Sequence, residues 1–94
     1  MGNASIKAFL AYLSIEKNYS GHTVHAYDKD IRSFSLFLTD AHNGTPLEAA
    51  DYGMVRNWIV TLVNSGISNR SVNRKASALK AFYNFLVKTN TITV

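Results

Sequence analysis

Cysteine is absent from all 94 residues. No disulfide framework and no thiolate zinc site can form, which suits a reducing, cytoplasmic setting. No apolar run approaches the roughly 20 residues that span a bilayer, and no signal peptide opens the chain, so no membrane partner is expected. Carboxylates are missing from the entire second half, the last being Asp51. Residues 52–94 hold six basic side chains and no acidic one, a net +6, whereas residues 1–51 hold four basic and six acidic ones, a net −2. Such a half repels itself, which points to a polyanionic partner; a solvated basic surface is the plain alternative. A catalytic constellation is also lacking. There is no nucleophile–base–orienter set, no glycine-rich phosphate loop and no carboxylate pair beside a histidine. The tyrosines have no Arg/His cluster around them to activate a phenol. Neither catalysis nor a cofactor is expected.

What is present is helical periodicity. At this length folding buries roughly 60–65% of the unfolded surface, enough for one core and one domain. Ile6, Phe9, Leu10 and Leu13 predict a first helix over about 4–17. Ser20 is a good N-cap, and Val24, Tyr27, Ile31, Phe34 and Leu38 predict a second helix over about 21–39. "DAHNGTP" (residues 40–46), with Asn43-Gly44 and the single proline, is a loop. Asp51 caps a third helix with Val55, Trp58, Ile59, Leu62 and Val63 inward, and Gly66 stands where a left-handed C-terminal cap puts glycine. Ser68 or Asn69 caps a fourth helix whose inward stripe is Val72, Ala76, Leu79, Tyr83 and Leu86. "TNTITV" (residues 89–94) loses helical character and reads as the start of a linker. No strand-like alternation competes, so the expected fold is a single all-α, four-helix bundle over about 4–88.

The polar faces carry the functional signal. At 100° per residue, Arg70, Asn73, Arg74, Ser77, Lys80 and Asn84 gather opposite the apolar stripe of the fourth helix, with Lys75 on a flank. That face holds no carboxylate, although i,i+4 pairs of opposite sign would stabilise a merely solvated helix. Arg and Lys neutralise phosphates; Asn and Ser hydrogen-bond phosphates or base edges. On the second helix His22, His25, Lys29 and Arg32 form another stripe, which Asp28 and Asp30 flank and dilute. The two histidines have neither cysteine nor a suitably spaced carboxylate beside them, so no metal site is expected. Phe9, Tyr27, Phe34, Trp58 and Tyr83 sit at core phase. Phe85 falls nearer the polar side with Ala78 and Ala81, as an exposed contact patch would; burial is the other reading.

Two stretches together resemble the N-terminal, core-binding domain of tyrosine recombinases, the phage-integrase and Xer-type enzymes. The first is "FLAYLSIEKNYSGHTVHAYDKDIRSFSLFL", with Ser20, Thr23, Tyr27 and Asp30 at the family's spacing. The second is "GISNRSVNRKASALKAFYNFLVKTNTI", where Arg74 and Lys75 precede Ser77-Ala78-Leu79, Lys80 and Phe82-Tyr83. The resemblance covers nearly the whole chain, least in residues 39–51. It implies a four- to five-helix SAM-like bundle whose second and fourth helices face duplex DNA. By motif match the implied contacts are Thr23, Arg74, Lys75, Ser77 and Lys80; helix geometry adds His22, His25, Lys29, Arg32, Arg70, Ser71 and Asn73. It further implies a separate C-terminal catalytic domain in the same protein, which closes a clamp on DNA, and a tetramer of full-length protomers. In the family the catalytic residues belong to that domain, so this chain is expected to bind DNA and cut none. Two positions depart from the pattern. Ala76 is smaller than usual, and Lys80 replaces a common Arg, losing the fork that reads guanine. Two rival readings are a helix-turn-helix-like regulator and a protein-interaction module with a basic face.

Overall fold

Three of the helices begin where a side chain accepts an orphaned amide proton. In the computed structural model, which describes residues 3–92, Ser20 Oγ accepts from Thr23 N at 3.3 Å, and α2 runs Gly21–Ala41. Asp51 Oδ1 accepts from Met54 N at 2.9 Å to start α3, Tyr52–Asn64. Ser68, rather than Asn69, caps α4, Asn69–Lys88, accepting from Ser71 N at 3.2 Å. The first helix, α1, spans Asn3–Ile15. It stops short of the expected residue 17 because Glu16 N and Lys17 N both bond to Tyr12 O, after which Asn18 turns left-handed at φ 55°. Gly66 (φ 84°) ends α3 as expected, with Ile67 N on Leu62 O at 3.2 Å and Gly66 N on Val63 O at 3.1 Å.

Every regular element among the described residues is helical, so the all-α expectation holds. The core joins Ile6, Phe9 and Leu13 of α1, Ile31, Phe34 and Leu38 of α2, Trp58 of α3, and Leu79, Phe82, Phe85 and Leu86 of α4. Phe9 is its hub: it lies 5.4 Å from both Phe82 and Phe85 and 5.8 Å from Tyr27, ring centre to ring centre. Such tilted and edge-on pairs add to the burial energy of the rings.

Four expectations need correction. Phe85 is no surface patch: it is 9% exposed and packs 5.0 Å from Tyr12. The inward face of α4 is broader than a single stripe, because α1, α2 and α3 all pack on this helix. Ala78, Phe82 and Phe85 are therefore buried, while Ala76 and Tyr83 are only partly so. Val63 is 51% exposed on the outer side of α3, with Val60 at 48%. The connection after α2 also holds more than a loop. Leu47–Ala49 form a short 3-10 helix, and Leu47 is fully buried. Its carbonyl accepts a 2.7 Å hydrogen bond from the Tyr83 hydroxyl, and Glu48 accepts one from Ser5. Past α4, Ile92 still rests on the core; Thr93 and Val94 lie outside the described residues.

Two measurements check this packing. Phe85→Ala should cost about 3–5 kcal/mol in urea unfolding, as for a buried ring; an exposed ring would cost within ~0.5 kcal/mol. Burial, and secondarily the charge of Glu48, pushes the Tyr83 phenol well above its usual range. The folded state thus keeps the proton that the unfolded chain releases near pH ~10. Stability should be level below that pH and fall above it. Melting curves from pH 8 to 11 should show a weaker alkaline decline for Tyr83→Phe.

Candidate nucleic-acid interface

Positions 27, 30, 31, 34 and 38 share one face of α2, so Asp30 occupies the phase of the apolar stripe. It does not flank the polar stripe as expected; it is buried, 1% exposed. A buried carboxylate needs partners, and α4 supplies them. Arg74 Nε donates to Asp30 Oδ2 at 3.1 Å and Arg74 Nη2 to Oδ1 at 3.0 Å. Lys75 Nζ donates to the same Oδ1 at 3.0 Å. The fourth helix does forgo carboxylates of its own, but it borrows one from α2. Lys75 is consequently turned inward, its side chain 16% exposed, whereas Arg74 keeps 57% of its side chain in solvent.

Above this ion triad lies a hollow of about 340 Å³ between α2 and α4. His22, Thr23, Ala26 and Tyr27 line it from α2; Arg74, Ser77 and Ala78 line it from α4. His22 and Thr23 thus meet Arg74 and Ser77 at one place, whereas Arg32 lines a separate groove with Ile6, Ser35, Leu36 and Thr39. Thr23 is exposed there, and its hydroxyl also lies 3.1 Å from Ser20 Oγ as part of the cap. Tyr27 forms the inner wall, its phenol pushed up by burial and then by Tyr19, whose ring stacks on it at 6.1 Å.

The remaining candidates separate by what already holds them. Arg32 Nε donates to Asp28 Oδ1 at 2.6 Å, an i,i+4 pair along α2. Ser71 is half-buried at the start of α4, and its hydroxyl meets Ser68 Oγ at 3.2 Å. His25, Lys29, Arg70, Asn73 and Lys80 are exposed. Among the described residues no carboxylate lies within ion-pair range of Lys29, Arg70 or Lys80. Also among the described residues, no three His, Asp or Glu side chains gather as metal ligands would. No described helix is long and apolar enough to cross a membrane.

The Asp30 triad is not legible in local sequence because its partners lie 44 and 45 positions away. The available signal was a carboxylate at core phase in a chain with surplus cations. Asp30→Ala should lower unfolding stability by about 2–4 kcal/mol, since it strands two cations, one mostly buried. Asp28→Ala breaks an exposed pair and should cost less than about 1 kcal/mol. Parallel urea titrations of the two variants check the contrast.

Residues 6–90 match the family described as "Phage integrase, N-terminal SAM-like domain". Tyrosine recombinase XerC of Pediococcus pentosaceus is 40% identical over 87 residues, covering 93% of this chain and 29% of that protein. XerC of Bacillus subtilis is 39% identical over 84 residues, covering 88% of this chain and 27% of its own. XerC of Rickettsia bellii is 37% identical over 82 residues, with 83% and 27% covered. The chain thus spans less than a third of the length of these relatives. No solved structure matches it. The family match reaches from the first core residue of α1 to just beyond α4 and takes in both stretches that form the hollow, so the chain belongs to the phage integrase N-terminal SAM-like domain family.

Proposed function

We propose that this chain is the DNA-binding, core-binding domain of a site-specific tyrosine recombinase. The observation that carries the reading is the open hollow between α2 and α4, where His22 and Thr23 face Arg74 and Ser77, on a domain whose relatives are named tyrosine recombinases. Duplex DNA lies along α2 and α4. Lys29, Arg70 and Lys80 displace counterions from phosphates, helped by Arg32, and His22 and His25 lie on the same helix as hydrogen-bonding groups. Thr23, Ser71, Asn73 and Ser77 position the helices by hydrogen bonds to phosphate or base edges. Lys75 contributes through the charge of the triad rather than by direct contact, since its ammonium is held by Asp30.

The domain binds and does not cut. Strand breakage and rejoining belong to a catalytic domain joined through a linker that starts around residues 89–94, and the pair closes around the duplex. Ile92 still touches the bundle, which favours the late end of that range. Full-length protomers assemble as a tetramer on DNA, in the cytoplasm.

Fluorescence anisotropy with random-sequence duplex DNA across a salt series tests the reading. Observed affinity should fall with a log–log slope of about −0.9 for each phosphate contacted. A Lys29→Glu, Lys80→Glu variant, which leaves the buried triad intact, should bind more weakly and with a shallower slope. Salt-independent binding, or equal binding by both proteins, would refute the DNA face. Binding to an acidic protein but not to duplex would favour the interaction-module reading.

A further inference from the structure

We propose that Arg74 reads a guanine base, and that Asp30 is the buried positioning residue that aims it. The inference rests on the DNA-binding reading and deepens it, since it separates one residue of the face from the rest. A guanidinium carries five N–H donors in a rigid plane. Asp30 engages the side edge of that plane, Nε at 3.1 Å and Nη2 at 3.0 Å. Three donors remain, two on Nη1 and one on Nη2. One N–H on each Nη forms the end edge, a parallel pair that matches the O6 and N7 acceptors of guanine in the major groove. With its side chain 57% exposed, Arg74 keeps that edge available.

Held arginines and free lysines suit different targets. A phosphate is an anion that a compact ammonium can approach from many directions, and Lys29 and Lys80 have no carboxylate in range among the described residues. Arg74 has part of its charge offset by Asp30, so its pull on a phosphate is reduced. Its hydrogen-bonding geometry is not reduced but fixed. Asp30 is itself locked in the core phase of α2 and takes a second cation, Lys75, on Oδ1. A donor pair fixed before binding loses little side-chain entropy when a base edge arrives. The surroundings suit a base edge too. Thr23, Ala26, Ser77 and Ala78 leave room beside Arg74 in the hollow of about 340 Å³.

The experiment is selection of the 94-residue chain on randomised duplexes, followed by anisotropy on the recovered sequence. The wild-type chain should recover a guanine at one position. Replacing that guanine by 7-deazaguanine, which lacks the N7 acceptor, should weaken binding roughly 5- to 100-fold. Asp30→Asn removes a negative charge. Bulk electrostatics alone would therefore make it bind every duplex more tightly. Positioning by Asp30 instead predicts tighter binding to random duplex together with loss of the guanine preference. Arg74→Lys keeps a cation for Asp30 but no fork, and should lose the preference while retaining the salt slope; it serves as the readout if Asp30→Asn does not fold. Retention of the guanine preference by Arg74→Lys or by a folded Asp30→Asn would overturn the proposal, as would the same loss on random and selected duplex. If the wild-type chain shows no salt-dependent binding to random duplex, the DNA reading itself fails and takes this one with it.

Discussion

A carboxylate placed in the apolar phase of a helix constrains everything packed around it. Asp30 cannot face the core without cations, and the cations must come from a neighbouring element at hydrogen-bonding distance. Arg74 and Lys75 meet that demand from adjacent positions on α4, which sets the rotation of α4 against α2. Hydrophobic burial alone tolerates sliding and rotation of helices, since Leu, Phe and Val pack in many arrangements. Three charge-assisted bonds to two oxygens do not. The net gain in stability from such a buried cluster is small, because desolvation opposes the Coulomb term. Its consequence is geometric, and the hollow between α2 and α4 inherits that geometry.

The hub of the core packs against the same two helices. Phe9 of α1 touches Tyr27 of α2 and both Phe82 and Phe85 of α4. Tyr27 lies one turn before Asp30 and also forms the inner wall of the hollow. The aromatic cluster and the ion triad thus meet through one residue. The polar face of α4 is shaped from behind by α1, although α1 contributes nothing to the hollow itself.

Local chemistry was legible in the sequence, and long-range partnership was not. Ser20, Asp51 and Gly66 announce helix ends because a cap depends on residues within one turn. The α2 stripe was legible because one side of that helix is buried, giving a clean 3.6-residue period. On α4 three helices share the burial, so the period blurs and Phe85 falls nearer the polar side of a single-stripe helix. Leu47 reads as part of a loop because a single 3-10 turn has no period to detect. For the site, excess charge and its sidedness were visible in the composition of residues 69–88. Which cations are free was not, because pairing with Asp30 bridges 44 residues. A carboxylate at core phase is the kind of local inconsistency that marks a buried polar cluster, and it could have been read that way.

On the proposed reading, the uneven treatment of the cations divides affinity from discrimination. Free cations on a nucleic-acid face raise binding to every sequence alike, because phosphates are everywhere the same. A domain built only from such cations would hold DNA but could not choose a place on it. Neutralising one of them with a surface carboxylate would merely weaken the face. A buried carboxylate acts differently: it withdraws net charge while fixing the direction of the remaining donors, so that general attraction falls and geometric demand rises. One acidic residue in the core of α2 can then favour recognition, although on charge alone it should oppose DNA binding. A minority of carboxylates in a strongly basic domain are therefore better judged by burial than by sign. Asp28, half-buried and paired along its own helix, tempers the field; Asp30, buried between helices, shapes it.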